Sequence, residues 1–539
     1  MATPSAASRS PNSMTASRSP LSLTAVRPPF PILLPPGSRP EHRGLAYWMN
    51  RVCEELGGLH VSPDRDTVHD LRVAIRRCRS LALAMEEVDP DPAWREMRKV
   101  ARRLFRALGA LRDAQVIQEW IKKLGAGPID NDPVRAQLLV SLEADEKQLS
   151  ESALRVASKF EKKDWTRLER RLRRRVRLVP VGGLAAECLA LERFEEAKEL
   201  HNHALRTEKP KPWHALRIGL KKFRYTLEGL LPEHYAAWNE NLKRLQDLLG
   251  DVHDFDVLSE MLDDANFSES PQALEAQKTW HEKISRERHD RIETYRQLTL
   301  GKTSLWHAWR HNLPHGRGLE AAATARIRAT ARAADPHSRR TAPISRLAMR
   351  VFDLLRRVQA APAFNEPNMR RIMEAAAKLH GIARVGDQRL SSKEVRKYLL
   401  GLRIPPNWTT EEWDLMTWAI RFHRGAEPKP KNGFAKLSEE DRASVRALAG
   451  VLRLARALRK CGIERTIGLR SEKSAEAIVL TIPGLADTAE SAARLAAAKH
   501  LLEFALQKPL ILKAAPKPEA AAALPEAKSE PPLVAVATA

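Results

Sequence analysis

One segment of this chain is written twice. His69-Asp-Leu-Arg72-Val-Ala-Ile-Arg76-Arg77-Cys-Arg79 aligns without gaps on His214-Ala-Leu-Arg217-Ile-Gly-Leu-Lys221-Lys222-Phe-Arg224. Further along, in the same order, Arg102 to Asp113 aligns on Lys243 to Asp254, and each stretch ends in Leu-Gly-x-x-x-Asp. A helical unit repeated in order must bury its apolar face against its copy, which constrains the fold to a pseudo-twofold pair. Within both copies apolar residues recur every three or four positions, the period of an amphipathic helix. The expected fold class is mainly α, with a pseudo-twofold pair of helical bundles.

Composition agrees with helix. Ala, Leu, Arg and Glu dominate, while Gly (24 of 539) and aromatic residues (5%) are too sparse for large sheet cores. Along the chain, residues 1–40 read as a disordered leader rich in Ser, Pro and Arg. The helical repeats occupy 41–300, and 301–343 reads as a linker whose Ala/Arg-rich middle suits either a helix or an extended basic stretch. A second, helical block covers 344–512. It ends in a hairpin built from Thr466–Leu469 and Ala477–Ile482 and a last helix from Glu490 to Gln507. Residues 513–539 read as a disordered tail. The four cysteines are scattered, with no zinc or disulfide spacing. No run of about 18 apolar residues suggests a membrane span. A cytoplasmic protein without membrane contact, metal or cofactor is expected.

On a helix at about 100° per residue, His69, Arg72, Arg76 and Arg79 fall within a sector of roughly 80°, opposite Leu71, Ala74, Ile75 and Cys78. His214, Arg217, Lys221 and Arg224 repeat the arrangement against Leu216, Leu220 and Phe223. Each histidine stands near a helix start, where Asp66 or Thr67 can cap the first helix and Pro212 suits the first turn of the second. Free N–H groups at such a start, followed by cations about 5–6 Å apart, suit a chain of phosphates. Arg95, Arg98, Arg102 and Arg106 form another stripe at i, i+3, i+7 and i+11. The helix Lys162–Arg177 holds nine basic and two acidic residues, and it reads equally as an extension of the anion surface or as a solvated face. The chain carries 91 Lys+Arg against 67 Asp+Glu, net +24, a surplus that calls for a polyanionic partner.

The paired His-x-Leu-Arg stretches and the Leu-Gly-x-x-x-Asp ends resemble the CHAD domain, the conserved histidine α-helical domain, over about residues 40–300. The resemblance implies a mainly α fold of two pseudo-symmetric four-helix bundles with basic residues around a central groove or cavity, binding of inorganic polyphosphate and, in some bacteria, association with polyphosphate granules. Carried over here, it points to His69, Arg72, Arg76, Arg79, Arg102, Arg112, His214, Arg217, Lys221, Arg224 and Lys243. Asp247 stands where the first copy has Arg106, and His253 where it has Arg112, so the two halves are expected to contribute unequally.

Residues 340–512 resemble the helical HD-like region and following small α/β region of the exopolyphosphatase and guanosine pentaphosphatase family. The resemblance rests on Ala377-Lys-Leu-His380-Gly, Pro406-Asn-Trp408-Thr-Thr-Glu411-Glu412, Ile420-Arg-Phe-His423-Arg-Gly425 and Leu448 to Arg456. An HD metal site needs an adjacent His-Asp pair, but His380 is followed by Gly381, and Arg456 stands where a later Asp is expected. The actin-like catalytic half is missing. No nucleophile, general base or metal triad is evident, so a non-catalytic polyphosphate-binding module is the expected function. The alternatives are a phosphohydrolase acting on polyphosphate or guanosine polyphosphate, and nonspecific nucleic-acid binding as a secondary partner class.

Overall fold

The computed structural model describes residues 44–61, 64–125, 132–207, 209–335, 341–382, 384–385, 388–429, 432–464 and 469–516. The leader read over 1–40, and residues 517–539 of the expected tail, lie outside the described residues.

The first repeat comprises α1 (Leu45–Val61), α2 (Arg65–Glu86), α3 (Ala93–Val100), α4 (Arg102–Leu124), α5 (Pro133–Ser158) and α6 (Lys162–Arg175). The second comprises α7 (Leu184–Ala204), α8 (Pro210–Leu230), α9 (Pro232–Asp264) and α10 (Pro271–Thr299). The repeated motifs therefore lie on α2 and α8, then on α4 and α9. The cap of α2 is Asp64, not Asp66 or Thr67: its carboxylate accepts the Thr67 N–H at 2.8 Å. In α8, Pro210 takes the first turn ahead of Pro212. Each repeated histidine is the fifth residue of its helix, one turn in, where its own N–H is already bonded along the helix.

The apolar faces are buried as the periodicity predicts. Leu71, Ala74, Ile75 and Cys78 of α2, and Leu216, Leu220 and Phe223 of α8, are at most 1% exposed. Truncating such a residue to Ala typically costs about 2–5 kcal/mol. The cores do not divide by repeat, however. One apolar cluster holds α1, α2, α7 and α8 with the first parts of α4 and α9. A second joins Ile117 and Trp120 of α4 and Leu138 of α5 to Phe255 of α9 and Trp280 of α10. Instead of two separate bundles, each pack mixes both copies. The length of α4 and α9 explains this, since a helix of 33 residues spans roughly 50 Å and crosses both packs.

Residues 301–343, expected as a linker, carry α11 (Leu305–His311) and α12 (Gly316–Ala334). Trp306 and Trp309 of α11 are 1% exposed and pack on Phe194, Phe223 and Trp238. On α12, Ala329 joins the first core and Ile327 the core that follows. That core is built by α13 (Thr341–Arg357), α14 (Met369–Leu379), α15 (Ser392–Leu400), α16 (Thr410–Phe422), α17 (Glu439–Lys460) and α18 (Ala489–Leu506). Strands β1 (Arg384–Val385) and β2 (Gln388–Arg389) form a two-residue ladder.

The terminal sheet has the order β3-β4-β5, with β3 (Arg470–Lys473), β4 (Ile478–Pro483) and β5 (Leu510–Ala515). The hairpin exists, but its first strand is Arg470–Lys473, the stretch read as the polar turn. Residues 466–468 of the strand expected there lie outside the described residues. Arg470 faces Thr481 across the antiparallel pair, and Ile478 faces Leu510 across the parallel one. β3 is an exposed edge strand, so it carries no apolar alternation to read. β5 was absent from the expectation, and it claims residues 513–515 of the supposed tail.

Candidate functional site

α2 and α8 pack against each other, and their repeated cations meet at the contact. Arg72 and Arg76 from α2 lie close enough to Arg217 and Lys221 from α8 to lower the proton affinity of Lys221 together. Burial is the larger cause, and the Lys221 amine is pushed down to about 6. Burial also lowers Arg76 and Arg217, with Arg72 adding to both. Among the described residues, no carboxylate stands within ion-pair distance of Arg76, Arg217 or Lys221. The Nε atoms of Arg72, Arg76 and Arg217 are buried without a hydrogen-bond partner. Three guanidiniums and the Lys221 amine thus share a partly desolvated site with little countercharge, an arrangement stabilised by a multivalent anion.

Two aspartates face this cluster, and both are the last residue of Leu-Gly-x-x-x-Asp. Asp113 pairs with Arg72 at 3.1 Å. Asp254 is raised to about 6 by burial, against the pull of Arg217. The spacing of the repeat carried these aspartates in plain sight, and the signal that would have singled them out is their place one helix away from Arg72 and Arg217. Tyr225 is a second residue that sequence reasoning missed. Its buried ring lies 5.3 Å from the Arg76 guanidinium. His214 shares a proton with His253, Nδ1 to Nδ1 at 3.2 Å. Burial and Arg217 hold His253 down to about 4, and burial with Arg217 lowers His214 as well. His69 is exposed and lowered by partial desolvation and Arg112.

Arg79 leads away from the centre. Its guanidinium and that of Arg72 flank one ring, Phe105, at 5.0 and 5.9 Å. Beyond Phe105 opens a cleft of about 580 Å³ lined by Arg79, Arg95, Arg98, Lys99, Arg102 and Arg106. The four-residue stripe expected on one helix is broken: α3 ends and α4 begins at Ala101. Arg95, Arg98 and Lys99 therefore reach the cleft from α3, and Arg102 and Arg106 from α4. Of these cations Arg98 is bound to Glu86 at 2.7 Å, and Arg79 donates to the Arg98 carbonyl at 2.8 Å. Arg102 and Arg106 are exposed.

The remaining candidates are placed differently. Arg112 pairs with Glu119 at 3.2 Å. Arg224 is hydrogen-bonded to Gln246, Asn239 and Tyr235. Lys243 is exposed on α9, beside Asp247. The cations of α6 largely serve packing: Arg167 holds Glu96, Arg171 holds Asp91 and Arg175 holds Asp89.

In the C-terminal region His380 and His423 come together, with ring centroids 5.6 Å apart. Each donates its Nδ1–H to a carbonyl in its own helix end, Ala377 at 2.7 Å and Ile420 at 2.5 Å. Burial pushes His380 down to about 4 and His423 well below its usual value. A carboxylate at position 381 has no room, since even a Cβ there would overlap the Thr341 methyl. Among the described residues no group of three or more His, Cys, Asp or Glu side chains is placed to hold a metal. No described helix is long and apolar enough to cross a membrane.

With this geometry in view, comparison with protein families gives one match. The family model of the CHAD domain matches residues 49–263, which covers α2, α4, α8 and nearly all of α9. No curated protein matches the chain.

Proposed function

We propose that this chain, through its CHAD domain, binds inorganic polyphosphate where α2 and α8 meet and does not turn it over. The observation that carries the reading is the cluster of Arg72, Arg76, Arg217 and Lys221. Two copies of one motif deliver three guanidiniums and an amine to a single partly desolvated site, where, among the described residues, Arg76, Arg217 and Lys221 have no carboxylate within ion-pair distance. The CHAD match supports the choice of ligand, because that domain is generally linked to polyphosphate binding. Charge-assisted bonds to phosphate oxygens and release of condensed counterions supply the affinity, so binding weakens as salt rises. His69, His214, Arg79, Arg102 and Arg106 extend the contact. Arg98, Arg112, Arg224 and Lys243 stand at its margins.

The HD-like reading of the C-terminal region remains part of this proposal in a reduced form, as a relative of a phosphohydrolase region without its metal chemistry. The steric block at Gly381 supports that. In the cell, the protein would then sit in the cytoplasm at polyphosphate granules. The test is a titration with long-chain polyphosphate at about 150 mM salt, where the Debye length is roughly 8 Å. Phosphate-matched duplex DNA and single-stranded RNA serve as competitors. The expected result is tight binding to polyphosphate and weak competition. Equal or better binding of nucleic acid overturns the assignment. Release of phosphate from polyphosphate after Mg²⁺ or Mn²⁺ is added overturns the non-catalytic part.

A further inference from the structure

We infer that the anion track is one-sided: a polyphosphate chain longer than the central cluster can hold leaves it along Phe105 into the α2–α3–α4 cleft, and not along the matching path in the second repeat. The inference rests on the proposed polyphosphate site and adds direction and chain-length preference to it.

The argument is a residue-by-residue comparison of two paths that symmetry would make equal. Extending the gapless register of Arg102 on Lys243 places Arg95 on Ala236, Arg98 on Asn239, Lys99 on Glu240, Phe105 on Gln246 and Arg106 on Asp247. Four cations of the first copy are replaced by a methyl group, an amide and two carboxylates. The outgoing arginine differs too. In the first copy Arg79 makes one bond, to a carbonyl, and otherwise lies on the Phe105 ring at the cleft mouth. In the second, Arg224 donates to Gln246 at 2.7 Å, to Asn239 at 3.0 Å and to the Tyr235 hydroxyl at 3.3 Å. Two of its three acceptors are the residues that replaced Phe105 and Arg98. The terminal nitrogens of Arg224 are thus already engaged by neutral groups, and a phosphate would have to displace three hydrogen bonds and then meet Glu240 and Asp247.

The backbone follows the same division. α9 runs unbroken through Leu242, the counterpart of Ala101. In the first copy the helix is broken at Ala101, and Arg167 of α6 reaches Glu96 of α3 at 2.7 Å. A flexible polyanion meets a cleft lined by cations on one side of the centre, and an unbroken helix with carboxylates on the other.

The experiment compares tripolyphosphate with polyphosphate of about one hundred units on the full chain. The double variant Arg102→Ala/Arg106→Ala removes two exposed cleft cations, so folding is unaffected. Long-chain affinity is expected to fall about tenfold, as two phosphate contacts are lost, while tripolyphosphate affinity changes less than about twofold. Arg244→Ala, at the exposed second-repeat counterpart of Arg103, is expected to leave both nearly unchanged. Equal losses for both chain lengths, or a larger loss from the second-repeat variant, would overturn the one-sided track while leaving the central site intact. Absence of binding by the unmodified chain would overturn the site and the track together.

Discussion

The two repeats are alike where they touch each other and unlike everywhere else. At the α2–α8 contact, Arg72 faces Arg217 and Arg76 matches Lys221, and each copy supplies the aspartate of its Leu-Gly-x-x-x-Asp motif, Asp113 on α4 and Asp254 on α9. Away from that contact the first copy keeps its cations and breaks its helix at Ala101, while the second exchanges them for Ala236, Asn239, Glu240 and Asp247 on an unbroken helix. The contrast separates two constraints. A site to which both copies contribute needs both, so neither can drift. The flanks serve one copy each, and there a single wall is sufficient.

If the centre is shared, its halves are equivalent, and this gives the largest expected effect. Arg72→Ala/Arg76→Ala and Arg217→Ala/Lys221→Ala should each weaken polyphosphate binding by about a hundredfold or more, since each removes two charge-assisted contacts from a low-dielectric site. Circular dichroism should show unchanged helicity. A loss confined to one pair would end the idea of a shared centre.

The next test installs the first copy's character in the second. Glu240→Lys/Asp247→Arg replaces two carboxylates with cations along the closed path. Long-chain affinity should rise several-fold, with tripolyphosphate little changed. No gain would mean that the unbroken backbone, and not the charge, closes that side.

A third test reads the protons of the centre. With the Lys221 amine near 6 in the free protein, and at its ordinary value of 10.5 when unfolded, the unfolded chain holds the extra proton between those values. The Lys221 contribution to stability therefore rises with pH across that window. Asp254, raised to about 6 from 3.8, has the opposite sign: its contribution falls as pH rises through that lower window. A bound polyanion favours the protonated form of Lys221, Asp254 and the His214–His253 pair alike. Binding should take up protons near pH 7.5, and affinity should fall as pH rises from 6, by up to about tenfold per unit for each proton taken up. Calorimetry in two buffers of different ionisation heat measures the uptake. Lys221→Met should remove most of it.

The smallest effect concerns the cations beside the stripe. Arg77 bonds Glu228 at 2.8 Å across the α2–α8 contact and covers the Trp48 ring at 3.9 Å. Its counterpart Lys222 bonds Glu196 on α7 at 2.7 Å. Arg77→Ala should cost roughly 1–2 kcal/mol of stability and Lys222→Ala about 0.5–1. Neither should change the chain-length preference. Denaturant midpoints decide the order.

Much of this was readable from residue order alone. The repeat named α2 and α8, and the 3.6-residue period placed Arg72, Arg76, Arg217 and Lys221 on one face, because both facts are local. What depends on partners far along the chain was not. Glu86 takes Arg98, and Asn239 with Gln246 takes Arg224; stripe geometry contains neither. The helix break at Ala101 falls in a sequence of good helix formers, so no local residue marks it. The Ala/Arg-rich run of α12 suits helix and extended chain equally until neighbours on both sides bury it. β3 was missed as a strand because an exposed edge of Arg-Ser-Glu-Lys has no apolar face to alternate.

That helix has a consequence for how the chain can be divided. Arg326 on α12 is 2% exposed. It reaches Glu192 of α7 at 2.9 Å and the Arg403 carbonyl of the C-terminal region at 2.8 Å. Glu192 is itself buried, and its carboxyl is raised by that burial. One guanidinium therefore pins together residues more than two hundred positions apart. Severed just before α12, the repeats would keep an acid in their interior without its base, and the rest of the chain an Arg326 without its acid. The stretch that looks most like a seam in the sequence is the place where the two parts cannot be separated cleanly.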